Sequence, residues 1–311
     1  MQKSTPKIVG AGICCLDYIA TAPRPQWGGT TRINNYLRAG GGLVATALVA
    51  CARLGAQTEL ISMLGGDKVG GEILEGLRRE DLGVAHVKRS KEGLSPFSFI
   101  HVDERHGDRT IFHHPGRGLT HHVDLAVLDG ADVLLVDDYY PELVREVVPK
   151  AREKGIPIIA DTSPTEKDRD WLAQVDILIA PNDYFNTGDF GYDLDRALDT
   201  IHDYGPSTAV ITQGAEGWAA SHQGNRYRGP AFNVDAVDTT GAGDVFHGAY
   251  AFAVAQGWDI PKCAEFSSAV SALKCTQPGG RAGIPNLIQA LDFLKEKSVN
   301  NWKILWKIIK S

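Results

Sequence analysis

Short apolar runs alternate with stretches of helical spacing along most of the chain. A short apolar run bounded by turn residues is typical of a strand buried on both faces, and apolar residues at helical spacing predict helices between such strands. The predicted strands are 8–15, 59–64, 133–136, 156–160, 177–180 and 209–212, and the predicted helices are 43–54, 142–154 and 245–256. This order predicts an α/β fold of three layers, α/β/α, with a mostly parallel central sheet.

Two segments interrupt this rhythm and predict a second, smaller sheet. They are 31–40 and 95–115. The later segment alternates apolar and polar residues around a polar turn at 104–108, which predicts a β-hairpin. The alternating residues are Phe97, Phe99, Ile111 and His113. We expect these exposed strands to form a small β lid, inserted at 17–40 and 94–116 into one domain that spans 1–298.

The composition excludes several classes of protein. The chain has 311 residues, of which 43% are hydrophobic and 23% charged, and its formal net charge of −6 gives no basic field for a nucleic-acid backbone. No apolar run approaches the roughly 20 residues of a membrane-spanning helix, and the start lacks the apolar run of a secretory signal. We therefore expect a cytoplasmic protein without nucleic-acid or membrane partners.

The cysteines and the C-terminus add two smaller expectations. The five cysteines are odd in number and lack C-x-x-C spacing, which predicts reduced, buried thiols. The tail 299–311 is basic and aromatic, with apolar residues at helical spacing. It is interpreted as a terminal helix packed on the body or as appended residues, with membrane or partner docking as the alternative.

The stretch DTTGAGDVFHG, at 238–248, carries the clearest chemistry. The chain lacks a G-x-x-x-x-G-K-[ST] phosphate loop and a complete dinucleotide fingerprint, so a phosphate site needs other geometry. Gly241, Ala242 and Gly243 are small enough for the backbone to approach a ligand. Their amides would lie at the N-terminus of the predicted helix, where unpaired N–H donors suit an anionic phosphoryl group.

Asp244 follows these small residues at the predicted start of a strongly apolar helix. Aspartate is a preferred helix N-cap, and a carboxylate in this place can also accept a proton from an alcohol. We expect Asp244 to do both. The chemistry that these residues favour is phosphoryl transfer to a hydroxyl group.

Four motifs together resemble the ribokinase family of carbohydrate kinases, also called the phosphofructokinase-B family. DTTGAGDVF is similar to its C-terminal signature, and GGGLVATALVACARLGA is similar to its N-terminal glycine-rich signature. TQGAEGW resembles its T-x-G-x-x-G nucleotide segment, and GICCLDYIA resembles its first strand. Order and spacing agree over roughly 7–295.

The resemblance implies an ATP-dependent sugar kinase that uses Mg²⁺, with a lid that covers the sugar and forms a homodimer contact. Asp244 would be the catalytic base, with Gly241, Ala242 and Gly243 as the anion hole. The other implied residues are Asp17, Gly41, Gly42 and Thr46 at the sugar, Thr212, Gly214 and Gly217 at the nucleotide, Asn182 near the phosphates and magnesium, and Asp238 and Thr240 beside a monovalent cation such as K⁺.

Two positions depart from the family pattern. Thr46 stands where the first signature usually has Asn, which affects one sugar contact. The N-x-x-E motif is represented by Asn182 to Phe185, so the Glu that helps to organise magnesium is absent from its usual place. Asp183 or Asp161 could substitute for it, and the alternative interpretation is that both are loop acids or helix caps.

The substrate is less clearly indicated. Two runs, VDTTGAGDVFHGA and ALKCTQPGGRAGIP, look most like bacterial kinases of sulfofructose, but Thr30, His113 and Tyr139 stand where those enzymes hold the sulfonate. A neutral ketose or pentose fits this change better. The alternative is an acidic sugar held by a rebuilt basic pocket, for which the candidates are Arg32, Arg109 and Arg117.

Six of the ten histidines lie between His101 and His122, including two HH pairs. A metal site is one interpretation, but adjacent residues on a strand point to opposite faces. His113 is also a candidate sugar contact. Two further functional hypotheses stay open, a non-catalytic sugar- or nucleotide-binding member of the fold and a nucleoside kinase.

Overall fold

The computed structural model describes residues 5–105, 109–163, 165–183, 193–298 and 302. Phe185 and nearly all of the tail 299–311 therefore lie outside the described residues. Thirteen strands occur within these ranges: β1 (Lys7–Ala11), β2 (Cys15–Ala22), β3 (Asn35–Gly41), β4 (Gln57–Gly65), β5 (Val87–Ser90), β6 (Phe97–Asp103), β7 (Arg109–His114), β8 (Val133–Asp137), β9 (Ile158–Asp161), β10 (Ile177–Pro181), β11 (Thr208–Thr212), β12 (Trp218–His222) and β13 (Asn225–Gly229).

Eight α-helices occur in the same ranges: α1 (Leu43–Arg53), α2 (Lys68–Arg79), α3 (Pro141–Glu153), α4 (Arg169–Leu172), α5 (Leu194–Asp203), α6 (Ala242–Ala255), α7 (Ile260–Lys274) and α8 (Leu287–Lys297). None of these described helices combines the length and the apolarity that crossing a bilayer requires.

The central sheet has nine strands in the order β13-β12-β11-β10-β9-β8-β1-β4-β5. Neighbours from β11 to β5 pair in parallel, whereas β12 and β13 are antiparallel. One apolar core lies between this sheet and α1, α2, α6, α7 and α8, and a second lies between it and α3, α4 and α5. The predicted three-layer α/β/α class is confirmed, because apolar residues on both faces of the strands need helices on both sides.

Helices α1 and α6 pack with their backbones unusually close. A Cβ placed on Gly248 would lie 2.1 Å from the carbonyl oxygen of Ala47, and the thiol of Cys51 donates to the carbonyl oxygen of Gly248 at 3.1 Å. The small residues of both helices allow this approach. It fixes the helix that carries Asp244 against the helix that follows the first glycine-rich signature.

A separate four-stranded sheet, in the order β3-β2-β6-β7, covers the carboxyl edge of the central sheet; we call it the lid. Its β6–β7 pair is the predicted hairpin, with Phe97 opposite His114 and Val102 opposite Arg109. The turn residues 106–108 lie outside the described residues. Asp17 of β2 stands beside Ser98 of β6, and Ser98 stands beside His113 of β7, so the three residues share one face of the lid.

Two sequence-based boundaries are corrected by the structure. The predicted strand 8–15 is wrong as a single element, because β1 ends at Ala11 and Cys15 begins β2 in the lid. Gly12 follows β1 where the chain passes the carboxylate of Asp137, and a Cβ on Gly12 would lie 2.3 Å from Oδ2 of Asp137. The helix predicted over 245–256 begins earlier, at Ala242, with Gly241 as its N-cap.

Candidate active site

The candidate site lies where the carboxyl ends of β8 and β9 meet the N-terminus of α6. Each of these strands ends in an aspartate, and Asp137 is opposite Asp161 in the parallel register. The carboxyl edge of a parallel sheet is the usual position for a ligand site in α/β proteins. The lid covers the same edge. The ends of the strands and the N-terminus of α6 therefore lie on one side of the candidate site, and the lid lies on the other.

Asp137 supports the floor of the site. Its carboxylate is fully buried and accepts the backbone N–H groups of Ile13 at 2.8 Å, Tyr139 at 3.1 Å and Val44 at 3.4 Å. Burial raises the pKa of Asp137 to about 8, although the N–H donors of Ile13 and Tyr139 act in the opposite direction. Because its acceptor oxygens are taken by the backbone, Asp137 fastens the loop 12–14 to the start of α1.

The N-terminus of α6 presents unpaired amides. Gly241 has a φ of 73°, in the left-handed region, and a Cβ placed on it would lie 3.0 Å from the carbonyl oxygen of Gly280 on the neighbouring loop. The N–H of Ala242 already donates to the carbonyl of Thr239 at 3.1 Å. Among the described residues, no acceptor is present for the N–H groups of Gly241 and Gly243. In this conformation the candidate anion hole therefore consists of those two amides rather than all three.

Asp244 does not cap the helix, contrary to expectation, because Gly241 occupies the N-cap position and Asp244 lies in the first turn. Its side chain is half-buried. Removal from water raises the pKa of Asp244, and the charge of Asp161 raises it further, while His247 and Arg281 oppose the shift. A carboxylate with a raised pKa is a stronger base than an ordinary aspartate, so the position suits proton abstraction.

His247 links Asp161 to the same helix and was not assigned a role from the sequence. Its ring is buried, with Nδ1 2.7 Å from the carbonyl oxygen of Gly243 and Nε2 3.1 Å from that of Ile179. Nε2 also lies 3.3 Å from Oδ1 of Asp161. Burial raises the pKa of Asp161, and the charge of Asp138 adds to this. Asp161 is thus held beside the first turn of α6, whereas Asp183 is exposed on the turn after β10.

A cavity of about 410 Å³ lies against the candidate anion hole at the N-terminus of α6. Thr212, Gly214 and Gly217, the predicted nucleotide residues, line it together with Ala242 and Gly243 of α6. Small side chains of α7 complete the wall, namely Ser268, Ser271 and Ala272. The cavity therefore connects the T-x-G-x-x-G segment to the anion hole. Asn182 is half-buried and follows Pro181, which is paired with Thr212, so it lies at the same sheet edge.

The predicted sugar residues meet beneath the lid. Asp17 is buried, and a Cβ on Gly41 would lie 2.1 Å from its Oδ2, so the carboxylate rests directly against the glycine backbone. Burial raises the pKa of Asp17, while hydrogen bonds from Cys15 and Ser98 lower it. Ser98 Oγ also lies 3.2 Å from Nδ1 of His113. The lid therefore carries a continuous polar row from Asp17 to His113.

Arg281 is a residue of this pocket that sequence reasoning missed. Its guanidinium is buried, donates to the carbonyl of Gly41 at 2.8 Å, and donates to Oγ1 of Thr46 at 3.2 Å. It packs so closely on Gly40 that a Cβ there would lie 2.3 Å from its Nη1. Thr46 therefore holds Arg281 in place. An arginine inside the glycine-rich stretch 279–283 was the available signal. Gly42, with a φ of 94°, is the N-cap of α1 behind this pocket.

The other candidate residues of the lid are spread out. Tyr139 makes an edge contact with the ring of His113 at 5.3 Å, and Thr30 is exposed. Arg109 Nη1 lies 3.3 Å from Oγ1 of Thr239, next to the anion hole, while Arg32 and Arg117 are exposed. No group of three His, Cys, Asp or Glu side chains is arranged as metal ligands in the part of the chain that the structure describes. The HH pair at 113–114 points to two faces: the ring of His114 stacks on that of Phe97 at 4.9 Å.

A candidate anion hole, a carboxylate with a raised pKa beside it, a cavity of about 410 Å³ and a polar pocket under the lid are the arrangement expected of a phosphotransferase of the carbohydrate kinase class. The family model of pfkB family carbohydrate kinases matches residues 5–287. The chain therefore belongs to the pfkB family, whose enzymes transfer a phosphoryl group to an alcohol.

The chain is similar to curated ribokinases along nearly its whole length. It is 27% identical to the ribokinase of Haemophilus influenzae, over 90% of this chain and 95% of that protein. It is 29% identical to the ribokinase of Bacillus subtilis, over 88% of this chain and 94% of that protein.

Solved structures show the same fold. The structure of Arabidopsis thaliana ribokinase complexed with ribose and ATP superimposes with a TM-score of 0.83 at 22% identity, covering 94% of this chain and 99% of that one. Ribokinase from Giardia lamblia superimposes with a TM-score of 0.82 at 20% identity, with the same coverage.

Proposed function

We propose that the protein is an ATP-dependent sugar kinase that transfers the γ-phosphoryl group to a hydroxyl of a pentose or ketose. One observation carries this proposal. Asp244 and the free amides of Gly241 and Gly243 lie between the cavity lined by the nucleotide residues and the pocket that contains Asp17. A hydroxyl on one side and a phosphoryl group on the other would meet at this helix N-terminus.

The phosphoryl group would be received by the anion hole. The N-terminus of α6 carries a partial positive charge of about half a unit, and its unpaired N–H groups are donors for phosphate oxygens. Donors that are fixed before the reaction stabilise the charge that develops on the transferring group, at no cost of reorganisation. Gly243 lines the cavity, so its amide faces the side from which the nucleotide phosphates would enter.

Asp244 would take the proton from the attacking hydroxyl. Its raised pKa makes the carboxylate more basic, and Arg281 is close enough for its charge to favour the ionised form. A positioned base of this kind typically contributes 10²- to 10⁴-fold, roughly, to the rate.

The site fits a Mg²⁺ ion that arrives with ATP. Such an ion takes most of its ligands from phosphate oxygens and water, and needs only one or two protein carboxylates. Asp161 fits best, because its carboxylate lies close enough to Asp244 for its charge to act on that residue, and Asn182 lies on the same edge. When bound, the ion would neutralise phosphate charge.

The sugar would bind under the lid. Asp17 offers carboxylate oxygens to two sugar hydroxyls, and His113 can contact a more distant hydroxyl from β7. The names of the two curated relatives above favour a pentose, and one structural neighbour contains ribose and ATP. The five cysteines are free and buried, which suits a reducing compartment such as the cytoplasm.

The outer face of the lid supports the proposal of a homodimer. Tyr36, Phe99 and Phe112 are exposed by 55%, 54% and 64%, and the side chains of Phe99 and Phe112 stand opposite each other on this face. Exposed apolar patches of this kind mark interaction surfaces. A second copy of the lid would cover them.

The test compares wild type with Asp244→Asn. Release of ADP is measured with Mg²⁺ and K⁺ across ribose, ribulose, fructose, sulfofructose, sugar phosphates and adenosine. We expect turnover with a pentose or ketose, and a loss of 10² to 10⁴-fold, roughly, in kcat for Asp244→Asn with unchanged circular dichroism. Asp199→Asn is the control, because this exposed residue on α5 forms an ion pair with Arg226 at the surface, and such pairs contribute little.

Each competing function has its own outcome in this assay. Adenosine turnover above that of every sugar would identify a nucleoside kinase. Preference for a sulfonate or phosphate sugar would favour an acidic substrate. ADP binding without turnover of any acceptor would identify a non-catalytic member of the fold.

A further inference from the structure

Lys274 is a buried cation that the mechanism above does not use. It is the last residue of α7, and its side chain is 0% exposed. Leaving an ammonium group without water is costly unless it is paired or hydrogen-bonded. A lysine in this position therefore needs a specific partner.

That partner is a backbone carbonyl. Nζ of Lys274 donates to the carbonyl oxygen of Asp238 at 2.8 Å. Within the described ranges, no carboxylate oxygen lies within 4.0 Å of this ammonium group. Backbone carbonyl oxygens are the ligands that proteins also use for dehydrated monovalent cations, and here one of them accepts from the ammonium group.

The surrounding contacts join two loops around this charge. The carboxylate of Asp238 accepts the N–H of Thr240 and the N–H of Gly279, each at 2.8 Å. The carbonyl of Cys275 accepts the N–H groups of Val237 and Asp238, at 2.8 and 3.1 Å. The loop that leads into the anion hole is thereby tied to the end of α7, where the helix dipole is negative and favours a cation.

Nearby acidic groups offset part of the cost of burying the charge of Lys274. Burial lowers the pKa of Lys274, while Cys275, Asp238 and Asp244 act to raise it. Burial acts to raise the pKa of Asp238. The N–H donors of Thr240 and Gly279 and the charge of Lys274 lower it, and the net shift is downward. The charge of Asp238 is therefore favoured, and the charge of Lys274 depends on the hydrogen bond to the carbonyl oxygen of Asp238 to offset its burial.

We propose that Lys274 is a built-in cation that takes the place of the free monovalent ion implied at Asp238 and Thr240. The residues present do not fit an added K⁺ ion, because the ammonium group of Lys274 lies 2.8 Å from the carbonyl oxygen of Asp238 and its positive charge would repel a second cation on that oxygen. Lys274 acts as a positioning residue: it holds loop 238–240, and through it the amides of Gly241 and Gly243. Binding and turnover of nucleotide by this protein therefore do not depend on added K⁺.

The wild-type protein provides the first test. ADP affinity by calorimetry and the thermal unfolding midpoint are compared in KCl and in tetramethylammonium chloride at about 0.1 M, so that screening is equal. We expect ADP affinity and midpoint to be the same in both salts. An increase of ADP affinity by roughly tenfold in KCl, about 1.4 kcal/mol, would overturn the proposal.

The variant Lys274→Ala provides the second test, because it removes the ammonium group and leaves space for an ion. We expect ADP affinity to fall by roughly tenfold in tetramethylammonium chloride and to be restored by K⁺ or by ethylammonium. Lys262→Ala, an exposed residue on the same helix, is the matched control and should behave as wild type. Wild-type affinity in Lys274→Ala without any added cation would contradict the proposal.

Lys274→Met covers the case in which Lys274→Ala does not fold. It keeps the length of the side chain, so we expect weaker ADP binding that no cation restores, and binding equal to wild type would reject the proposal.

The inference rests on the proposed function only through the use of ADP as a probe. If wild type binds no ADP, the nucleotide assignment fails, while the unfolding midpoint in the two salts still tests Lys274.

Discussion

Replacing Gly41 by Ala is expected to damage the proposed sugar pocket without affecting the proposed nucleotide site. The added Cβ would lie 2.1 Å from Oδ2 of Asp17, where ordinary contact begins at 3.4 Å. The backbone of Gly41 is not in the left-handed region, so alanine adds no conformational strain and acts by steric contact alone. The carboxylate of Asp17 must therefore move by roughly 1 Å, and a misplacement of that size can cost about 10²-fold in rate.

The measurement is steady-state kinetics with each substrate varied in turn. We expect kcat/KM for the sugar to fall by roughly 10²-fold, while KM for ATP stays the same. The matched control is Gly71→Ala on α2, where no atom lies within 4 Å of the added Cβ. If Gly41→Ala retained the wild-type kcat/KM for the sugar, then Asp17 would not be a sugar ligand held by this contact, and the pocket would be wrongly placed.

Two further predictions concern the base and the packing beneath it. Because burial and the charge of Asp161 raise the pKa of Asp244, the ionised base is lost at a higher pH than for an ordinary aspartate. The acid limb of kcat/KM against pH should therefore have its midpoint well above about 4, and a midpoint near that of a free aspartate would refute the assignment. Gly248→Ala would place a Cβ 2.1 Å from the carbonyl oxygen of Ala47, so denaturant unfolding should show a loss of about 1–3 kcal/mol. Gly76→Ala, which meets no atom within 4 Å, should instead gain roughly 0.5–1 kcal/mol, and equal effects of the two variants would argue against close packing of α1 on α6.

Local patterns in the sequence were enough to predict the fold class and the class of enzyme. Runs of apolar residues predicted the strands, because strands that are covered on both faces are apolar throughout. Alternation predicted the hairpin of β6 and β7, since successive side chains of a strand point to opposite faces. The residues of DTTGAGD are contiguous, so their place at a helix N-terminus was also a local property.

The tertiary structure decided how distant residues combine at the site. Arg281 reaches Thr46 and Gly41 across more than 230 positions of the chain, and Lys274 reaches Asp238 across 36. The tertiary structure also decided that α6 begins at Ala242, because Gly241 adopts a left-handed conformation against the loop that contains Gly280. Sequence spacing carries no information on such contacts, since they depend on which surfaces meet when the two cores close. Local periodicity thus determines the elements, and long-range packing determines the charges that surround the reacting groups.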